Sequence, residues 1–229
     1  MNLALFDLDN TLLSSDTDVE WLDFLIGQGV LDKSLHGENL EMDRRYRSGK
    51  AGALEYVRFY LRFYPRFPIV ELVEYRKAFV RQKIESRILP AGQRLLESHR
   101  QDLVAIITAT NRFLTEPIAE LLGVEHLIAT EPQLAGGRFT GEAVGVPCMR
   151  EGKVNRLEEW LNSRRSSLSS FDESWFYSDS INDQPLLERV THPVAVDPDE
   201  RLEALARQRG WRVITLRGAP AARGGPRPT

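Results

Sequence analysis

The sequence predicts an α/β protein: a doubly wound, mostly parallel sheet with an all-helical insertion after the first strand. Two observations predict the sheet. From residue 89 onward short apolar runs alternate with helical segments, and the run at residues 103–107 is apolar throughout, as in strands covered on both faces. A third observation predicts the insertion, because residues 14–88 carry helical periodicity and contain no convincing strand.

The first element is the apolar run at residues 3–6, which stops at a carboxylate and is typical of a buried strand that ends at a site. Helices follow it, and Gly29, Pro65 and Pro68 mark the places where they end or are interrupted. The helices predicted for the insertion cover residues 17–29, 35–47, 53–63 and 69–84.

After residue 89 the chain alternates between strands and helices, and the glycines at 136, 137 and 141 flank short segments that indicate a hairpin. We therefore predict an α/β core formed by residues 1–13 and 89–217 and a helical cap formed by residues 14–88. Residues 218–229, rich in Gly, Pro, Ala and Arg, are predicted to be a disordered tail. The predicted strands cover residues 103–107, 126–129, 174–177, 193–196 and 212–216, and the predicted helices residues 93–100, 114–122, 153–162, 184–189 and 199–208.

The composition argues against several classes of partner and site. A formal net charge of -3 gives no reason to expect a nucleic acid or an anionic membrane. No stretch reaches the ~18 apolar residues that span a bilayer, and Cys148, the single cysteine, permits neither an intrachain disulfide nor a thiolate metal site. Because no signal-like apolar run precedes Asp7, we expect a cytoplasmic protein, and a monomer and a homodimer both stay open.

Two aspartates, Asp7 and Asp9, follow the first strand. They can converge on one point only if the backbone curls after Asp7, and Asn10 and Thr11 are residues that form such loops. Two converging carboxylates repel each other unless a divalent cation lies between them or one of them keeps its proton. The alternative interpretation is a solvated turn after an edge strand.

Polar side chains also follow two other predicted strands. Thr108 follows residues 103–107, and Asp179 and Asp183 follow residues 174–177, while Lys153 begins a predicted helix. Each residue alone has an ordinary interpretation as a turn residue, a helix cap or an exposed lysine. Because parallel strands end at one edge of the sheet, we expect the set to gather there, where carboxylates suit Mg²⁺ and cations suit an anionic ligand.

These residues resemble the four signature motifs of the haloacid-dehalogenase-like (HAD) hydrolase superfamily, which has a Rossmann-like core. The helical insertion resembles the cap of the subgroup that contains phosphoserine phosphatases, and residues 107–113 and 177–187 resemble the proteobacterial enzymes assigned as histidinol-phosphatases. Thr108-Ala109-Thr110 stands where phosphoserine phosphatases usually have Ser-Gly-Gly. The matching residues are Asp7 to Thr11 for the first motif, Thr108 for the second, Lys153 for the third, and Asp179 to Asp183 for the fourth.

The resemblance implies a phosphatase that hydrolyses a phosphomonoester through an aspartyl-phosphate. Asp7 would be the nucleophile, and Asp9 would protonate the leaving alkoxide and then deprotonate the attacking water. Mg²⁺ would be held by the carboxylates of Asp7 and Asp179 and by the backbone carbonyl of Asp9. Thr108 and Lys153 would bind the phosphoryl group, and the residues implied to support this set are Thr11, Asn182 and Asp183.

The resemblance also implies a small phosphorylated metabolite as substrate, with L-histidinol phosphate as the preferred candidate and phosphoserine as the alternative. Asp16 would meet a substrate amine, and Arg58 would favour phosphoserine if it bound a substrate carboxylate. The aromatic helix around Tyr56 could line an imidazole pocket, although packing between cap helices explains it better. The other residues that could contact the substrate are Ala109, Thr110 and Asn111.

Two other classes of function stay open at this point. Response-regulator receiver domains also gather acids, a hydroxyl and a lysine around Mg²⁺, and such a chain would be a signalling switch. They are about half this length and lack a helical insertion between their acids, so the sequence disfavours them. A scaffold that kept the fold and lost activity is disfavoured because all the motif residues are present.

Overall fold

The computed structural model describes residues 1–218, so the predicted tail lies outside the described residues apart from Gly218. Seven strands form one sheet in the order β4-β3-β2-β1-β5-β6-β7, and only β4 runs antiparallel to its neighbour. The strands are β1 (Leu3–Phe6), β2 (Leu103–Asn111), β3 (His126–Ala135), β4 (Arg138–Val144), β5 (Ser174–Ser178), β6 (His192–Val196) and β7 (Arg212–Ile214).

Strand β1 is the centre of the sheet and pairs in parallel with β2 on one side and β5 on the other. The chain first builds outward from β1 through β2 and β3, and then returns to add β5, β6 and β7 on the opposite side. The order of the strands reverses at β1, so its carboxyl end faces the crevice where doubly wound folds bind ligands. The predicted fold class is confirmed.

Nine α-helices surround the sheet in the part of the chain that is described, and none of them is long and apolar enough to cross a membrane. The expectation of one helix over residues 69–84 is wrong, because α4 ends at Phe79 and continues as a wider turn (Val80–Ile84) and a tighter one (Glu85–Arg87). The helices are α1 (Thr17–Gly27), α2 (Leu35–Arg47), α3 (Ala53–Leu61), α4 (Ile69–Phe79), α5 (Pro90–Ser98), α6 (Arg112–Leu121), α7 (Glu151–Ser163), α8 (Gln184–Leu187) and α9 (Glu200–Arg209).

The hydrophobic core has two parts, one on each face of the sheet. Ala4 and Phe6 of β1 pack with the helices of residues 14–88, here called the helical insertion, and with α5 and α6. Leu3 and Leu5 point the other way and pack against α7, α8 and α9. Because side chains alternate along a strand, burial of all four residues of β1 requires helices on both faces.

The helical insertion begins and ends at one paired point. Leu13 and Ile88 form an isolated antiparallel bridge, and the Ser14 amide donates to the Arg87 carbonyl at 2.9 Å. The chain therefore leaves the core and returns to it beside the carboxyl end of β1.

The predicted glycine hairpin joins β3 to β4. Gly136 and Gly137 have φ values of 56° and 74° in the left-handed region, which a two-residue hairpin turn needs at both positions. Strand β3 is longer than predicted, because residues 131–135, beyond the four predicted strand residues, pair with β4.

Candidate active site

The backbone curls directly after β1, as the two aspartates require. The Asp7 amide still donates to the Tyr177 carbonyl of β5 at 2.9 Å, but the amides of Leu12 and Leu13 both turn back to the Leu8 carbonyl. Asn10 has a φ of 59°, a left-handed conformation that asparagine tolerates better than most residues. Through this curl both Asp7 and Asp9 line one pocket, so the solvated-turn interpretation does not apply.

A buried lysine joins the first and last motifs. Lys153 is 2% exposed, and its Nζ donates to Asp7 Oδ1 and to Asp183 Oδ2, each at 2.6 Å. The Ser178 hydroxyl donates to the same Asp183 oxygen at 2.6 Å. Burial alone would lower the pKa of Lys153, but the carboxylates of Asp183 and Asp7 raise it above its ordinary value. Lys153 therefore stays charged, and its charge is directed at Asp7.

The position of Lys153 depends on the glycine before it. A Cβ atom on Gly152 would lie 2.0 Å from the Pro147 carbonyl oxygen, a contact that no side chain can make. Arg150, the residue that caps α7, has a φ of 52°, and its carbonyl accepts the Lys153 amide at 3.0 Å. The tight start of α7 brings the lysine to the sheet edge, which gives Lys153 a role outside helix stability.

Two carboxylates face each other across the Thr11 hydroxyl. Thr11 Oγ1 lies 3.3 Å from Asp7 Oδ2 and 3.3 Å from Asp179 Oδ1, so these oxygens point to one place. Burial, and then the charges of Asp183 and Asp9, raise the pKa of Asp7 to about 7, although Lys153 opposes the shift. Burial and the charge of Asp7 likewise raise the pKa of Asp179 well above its ordinary value.

This donor set fits a magnesium ion. Converging carboxylates with raised pKa values need a cation, and hard oxygen ligands are those that Mg²⁺ prefers. No group of three or more His, Cys, Asp or Glu side chains within residues 1–218 is arranged around a metal position. Mg²⁺ does not need such a group, because it commonly uses one or two carboxylates and completes its octahedron with waters and phosphate oxygens.

The end of β2 turns towards the pocket through an irregularity. Its pairing with β3 shifts register between Ile107 and Asn111, and Ala109 and Thr110 line the pocket there. Thr108 is fully buried behind them; its hydroxyl accepts the Thr110 amide at 3.2 Å and lies 3.4 Å from Asp9 Oδ2. Direct binding of a phosphoryl oxygen by Thr108 stays a prediction.

Both oxygens of Asp9 are held by threonines that the sequence did not single out for this role. The Thr17 amide donates to Asp9 Oδ1 at 2.8 Å, and the Thr17 hydroxyl donates to the same oxygen. The Thr110 hydroxyl donates to Asp9 Oδ2 at 2.7 Å. In the sequence, Thr17 has the pattern of an ordinary helix start, so nothing there indicated a contact with Asp9.

The helical insertion supplies the opposite side of the pocket. This cavity has a volume of about 70 Å³, room for a few waters and far less than the several hundred Å³ typical of ligand pockets. The core face of the pocket consists of Asp7, Asp9, Asn10, Ala109, Thr110, Lys153, Asp179, Ser180, Asn182 and Asp183, and the insertion face consists of Asp16, Asp43, Tyr46, Arg47 and Tyr56.

An arginine between two aspartates dominates the insertion face. Arg47 Nε donates to Asp43 Oδ1 at 2.7 Å, and Arg47 Nη2 lies 3.9 Å from Asp16 Oδ2. Burial, and then the charge of Asp9, raise the pKa of Asp16 to about 7. Asp16 reaches the pocket as predicted and also caps α1 by accepting the Val19 amide at 3.1 Å.

Three insertion-face residues were missed by the sequence reasoning: Asp43, Tyr46 and Arg47, all on α2. Their spacing places them on one side of the helix, which was the only available signal. Because α2 carries charged residues around most of its circumference, that side does not stand out.

Two residues that were expected to contact the substrate do not line this pocket. Arg58 is 60% exposed and donates to Glu142 at 2.7 Å, because its side of α3 faces β4 and not the pocket. Asn111 does not line the pocket; it caps α6 by accepting the Leu114 amide at 3.3 Å and donates to buried Asp18 at 3.3 Å. Asn182, by contrast, lines the pocket on the core side.

Comparison with known proteins agrees with this geometry. A family model described as haloacid dehalogenase-like hydrolase matches residues 4–188. The chain is 38% identical to a histidinol-phosphatase of Neisseria meningitidis serogroup C (strain 8013) over 220 residues, covering 94% of this chain and 99% of that protein.

Two solved structures are similar as well. A protein with unknown function from Bordetella pertussis Tohama I is 42% identical and has a TM-score of 0.90, covering 94% of this chain and 98% of that one. A substrate-bound phosphoserine phosphatase has a TM-score of 0.66 at 19% identity, covering 88% of this chain and 89% of that one. This likeness concerns the fold alone.

Proposed function

The chain belongs to the haloacid dehalogenase-like hydrolase family and is a phosphatase, and we propose that it hydrolyses L-histidinol phosphate through a phosphorylated Asp7. The receiver-like and inactive-scaffold alternatives are therefore set aside. The observation that carries the proposal is the buried Lys153, which holds Asp7 at 2.6 Å under a pocket that Asp9 also lines.

In the first half-reaction, a carboxylate oxygen of Asp7 attacks phosphorus while the bond to the substrate oxygen breaks. Asp9 transfers its proton to that oxygen, so the substrate leaves as a neutral alcohol. Lys153 orients Asp7 and neutralises negative charge on the phosphoryl group.

In the second half-reaction, a water attacks the phosphorus of the aspartyl-phosphate and gives its proton to Asp9. The bond between phosphorus and the Asp7 oxygen breaks, which releases inorganic phosphate and restores both carboxyl groups. Asp9 therefore acts first as an acid and then as a base, with no net change in its proton.

Mg²⁺ would be held by the carboxylates of Asp7 and Asp179 and by the backbone carbonyl of Asp9, and it would supply positive charge that stabilises the phosphoryl oxygens. The six carboxylates that line the pocket outnumber its two cationic side chains, Lys153 and Arg47, so a phosphate dianion needs this added charge. Removal of divalent metal with EDTA is expected to abolish turnover, and added Mg²⁺ to restore it.

The insertion face supports histidinol phosphate as the substrate, because this ester carries an ammonium group and an imidazole ring and lacks a carboxylate. Asp16 and Asp43 suit a cation, and the rings of Tyr46 and Tyr56, which pack on each other with centroids 4.3 Å apart, supply an aromatic wall on which an imidazole can lie. The histidinol-phosphatase relative is 38% identical over nearly its full length, which agrees with this choice.

Phosphoserine is the second candidate, and Arg47 is the observation that favours it. This guanidinium lines the pocket and could bind a substrate carboxylate. It is already paired with Asp43 at 2.7 Å, so a carboxylate would have to compete with that residue. Arg47, and not Arg58, is therefore the residue to test for phosphoserine.

We also propose that residues 14–88 act as a movable cap. The cavity has a volume of about 70 Å³ and is lined by residues of α2 and α3, and the insertion would rotate about the paired crossing at Leu13 and Ile88.

The proposed function is tested with a panel of phosphorylated metabolites that compares kcat/KM for histidinol phosphate and phosphoserine. Histidinol phosphate is expected to exceed phosphoserine by at least about tenfold, or ~1.4 kcal/mol in transition-state binding. Asp7→Asn is expected to abolish Mg²⁺-dependent hydrolysis of every ester. Undiminished turnover by Asp7→Asn would contradict the mechanism, and a clear preference for phosphoserine would contradict the substrate.

A further inference from the structure

The proton-transferring aspartate is held from two parts of the molecule. Asp9 Oδ1 accepts two hydrogen bonds from Thr17, at the start of α1 in the insertion. Asp9 Oδ2 accepts one short hydrogen bond, at 2.7 Å, from the Thr110 hydroxyl at the end of β2. The two lone pairs of Oδ1 are therefore engaged, while Oδ2 keeps one that only a longer contact of 3.4 Å to Thr108 approaches.

The single hydroxyl proton of Thr110 has two acceptors within reach. Thr110 Oγ1 lies 2.7 Å from Asp9 Oδ2 and 3.4 Å from Asp18 Oδ2. A hydroxyl can donate only one proton, and the shorter distance assigns it to Asp9. Asp18 is satisfied from elsewhere, because it accepts the Asn111 side-chain amide at 3.3 Å.

Thr110 is held rigidly by its surroundings. It is 2% exposed, and its amide donates to the Thr108 hydroxyl at 3.2 Å. Behind it Asp18 and Asn111 are buried, and the Asn111 amide also donates to the Tyr64 hydroxyl at 3.2 Å. Such a network fixes the rotamer of a side chain, and a fixed donor fixes the oxygen that it contacts.

We propose, on the basis of the phosphatase mechanism given above, that Thr110 is a positioning residue that makes Oδ2 the proton-carrying oxygen of Asp9. Oδ1 is saturated by Thr17, so the proton that reaches the leaving alkoxide resides on the free lone pair of Oδ2. The Thr110 hydroxyl, donating to the other lone pair, aims that proton into the pocket. Loss of this hydroxyl leaves Asp9 held through Oδ1 alone, so that no short hydrogen bond orients Oδ2.

The consequence depends on the leaving group. An alkyl phosphate expels a strongly basic alkoxide and needs the proton, whereas p-nitrophenyl phosphate expels a weakly basic phenolate that leaves without it. General acid catalysis contributes about 10²–10⁴-fold where it is needed. If Thr110 only maintained the fold, its substitution would lower kcat/KM equally for both esters.

The test compares kcat/KM for β-glycerophosphate and p-nitrophenyl phosphate in Thr110→Val, which matches threonine in shape but lacks the hydroxyl. This parameter reports the step that phosphorylates Asp7 and is insensitive to the later hydrolysis. The value for the alkyl ester is expected to fall by about 10- to 100-fold, and that for the aryl ester by less than about threefold. Thr110→Ser, which retains a hydroxyl, is expected to recover most of the alkyl-ester activity.

An equal loss on both esters, or no loss on either, would overturn the inference. If Thr110→Val does not fold, as shown by circular dichroism, the same comparison is made with Thr110→Ala. If the wild-type enzyme hydrolyses neither these esters nor L-histidinol phosphate in the presence of Mg²⁺, the proposed function fails. An active wild type with a non-discriminating variant rejects the role of Thr110 alone.

Discussion

The two faces of the pocket handle charge in different ways. On the core face Lys153 is 2% exposed and lies 2.6 Å from each of two buried carboxylates. On the insertion face Arg47 is 51% exposed and is shared between Asp43 at 2.7 Å and Asp16 at 3.9 Å. Both faces thus place one cation between two acids, but only the core face removes the set from water.

Because of this difference in solvation, we expect the core face to serve the chemical step and the insertion face to serve substrate recognition. A buried, paired charge cannot change partner without a large cost, so the core face keeps the nucleophile in one orientation. A partly solvated ion pair is worth little in either arrangement, so the insertion face can exchange one of its partners for a charged group of the substrate. We therefore expect changes to the buried ion pairs of Lys153 on the core face to affect all phosphate esters and changes on the insertion face to affect selected substrates.

The largest effect is expected from Lys153→Met, which removes the cation from the buried ion pairs with Asp7 and Asp183. Removal of one partner from a buried ion pair costs about 3–5 kcal/mol of stability, and loss of the cation is expected to lower kcat by about a hundred- to a thousandfold on every ester. Thermal unfolding and turnover of p-nitrophenyl phosphate measure the two effects.

The matched control is Lys77→Met, because Lys77 pairs with Glu74 at 2.7 Å on the surface, where both side chains are 66% exposed. It is expected to change neither quantity measurably. If the two variants behaved alike, burial of Lys153 would not be what makes the core face different.

The second effect is expected from Gly152→Ala, which displaces Lys153 without removing it. The added Cβ would lie 2.0 Å from the Pro147 carbonyl, so the start of α7 must shift, at a cost of at least about 1–3 kcal/mol. Turnover is expected to fall on all esters. Gly27→Ala is the control, since nothing lies within 4 Å of its new Cβ. Unchanged turnover by Gly152→Ala would show that catalysis tolerates movement of Lys153.

A smaller and selective effect is expected from Asp43→Asn on the insertion face. The kcat/KM for histidinol phosphate is expected to fall about tenfold, or ~1.4 kcal/mol, because a carboxylate that faces the cationic group is lost. The value for p-nitrophenyl phosphate should stay within about twofold. Glu41→Gln, on the outer side of α2, is the control, and equal losses on both esters would assign Asp43 to the chemistry instead.

The smallest effect is expected from Arg58→Ala, because Arg58 lies on neither face of the pocket. Its exposed pair with Glu142 is worth about 0.2–1 kcal/mol at most, and kcat/KM should remain within about twofold for both histidinol phosphate and phosphoserine. A loss confined to phosphoserine would return Arg58 to the substrate site and contradict its position in the structure.

The core face was predictable because the carboxyl ends of the parallel strands in a doubly wound sheet all lie at the same edge of the sheet. Asp7, Asp9 and Asp179 follow predicted strands directly, so their convergence required only the correct strand order. Lys153 was predictable from its place at the start of a helix that packs beside them.

The part of the insertion face that α2 supplies was not predictable, because the rotation of a helix is set by tertiary packing and not by its own sequence. The family resemblance suggested Arg58 as a substrate contact, but α3 turns that side towards Glu142. Asp43 and Arg47 were missed because α2 is charged on most sides. Thr110 depended on an irregularity in β2 that apolar periodicity does not indicate.

The bridge between Leu13 and Ile88 has an evolutionary consequence. Because the chain departs and returns at neighbouring positions, any segment whose ends lie side by side can be spliced there without changing a single strand pairing. A recombination event at this seam can exchange the recognition half of the enzyme and leave the reactive half intact.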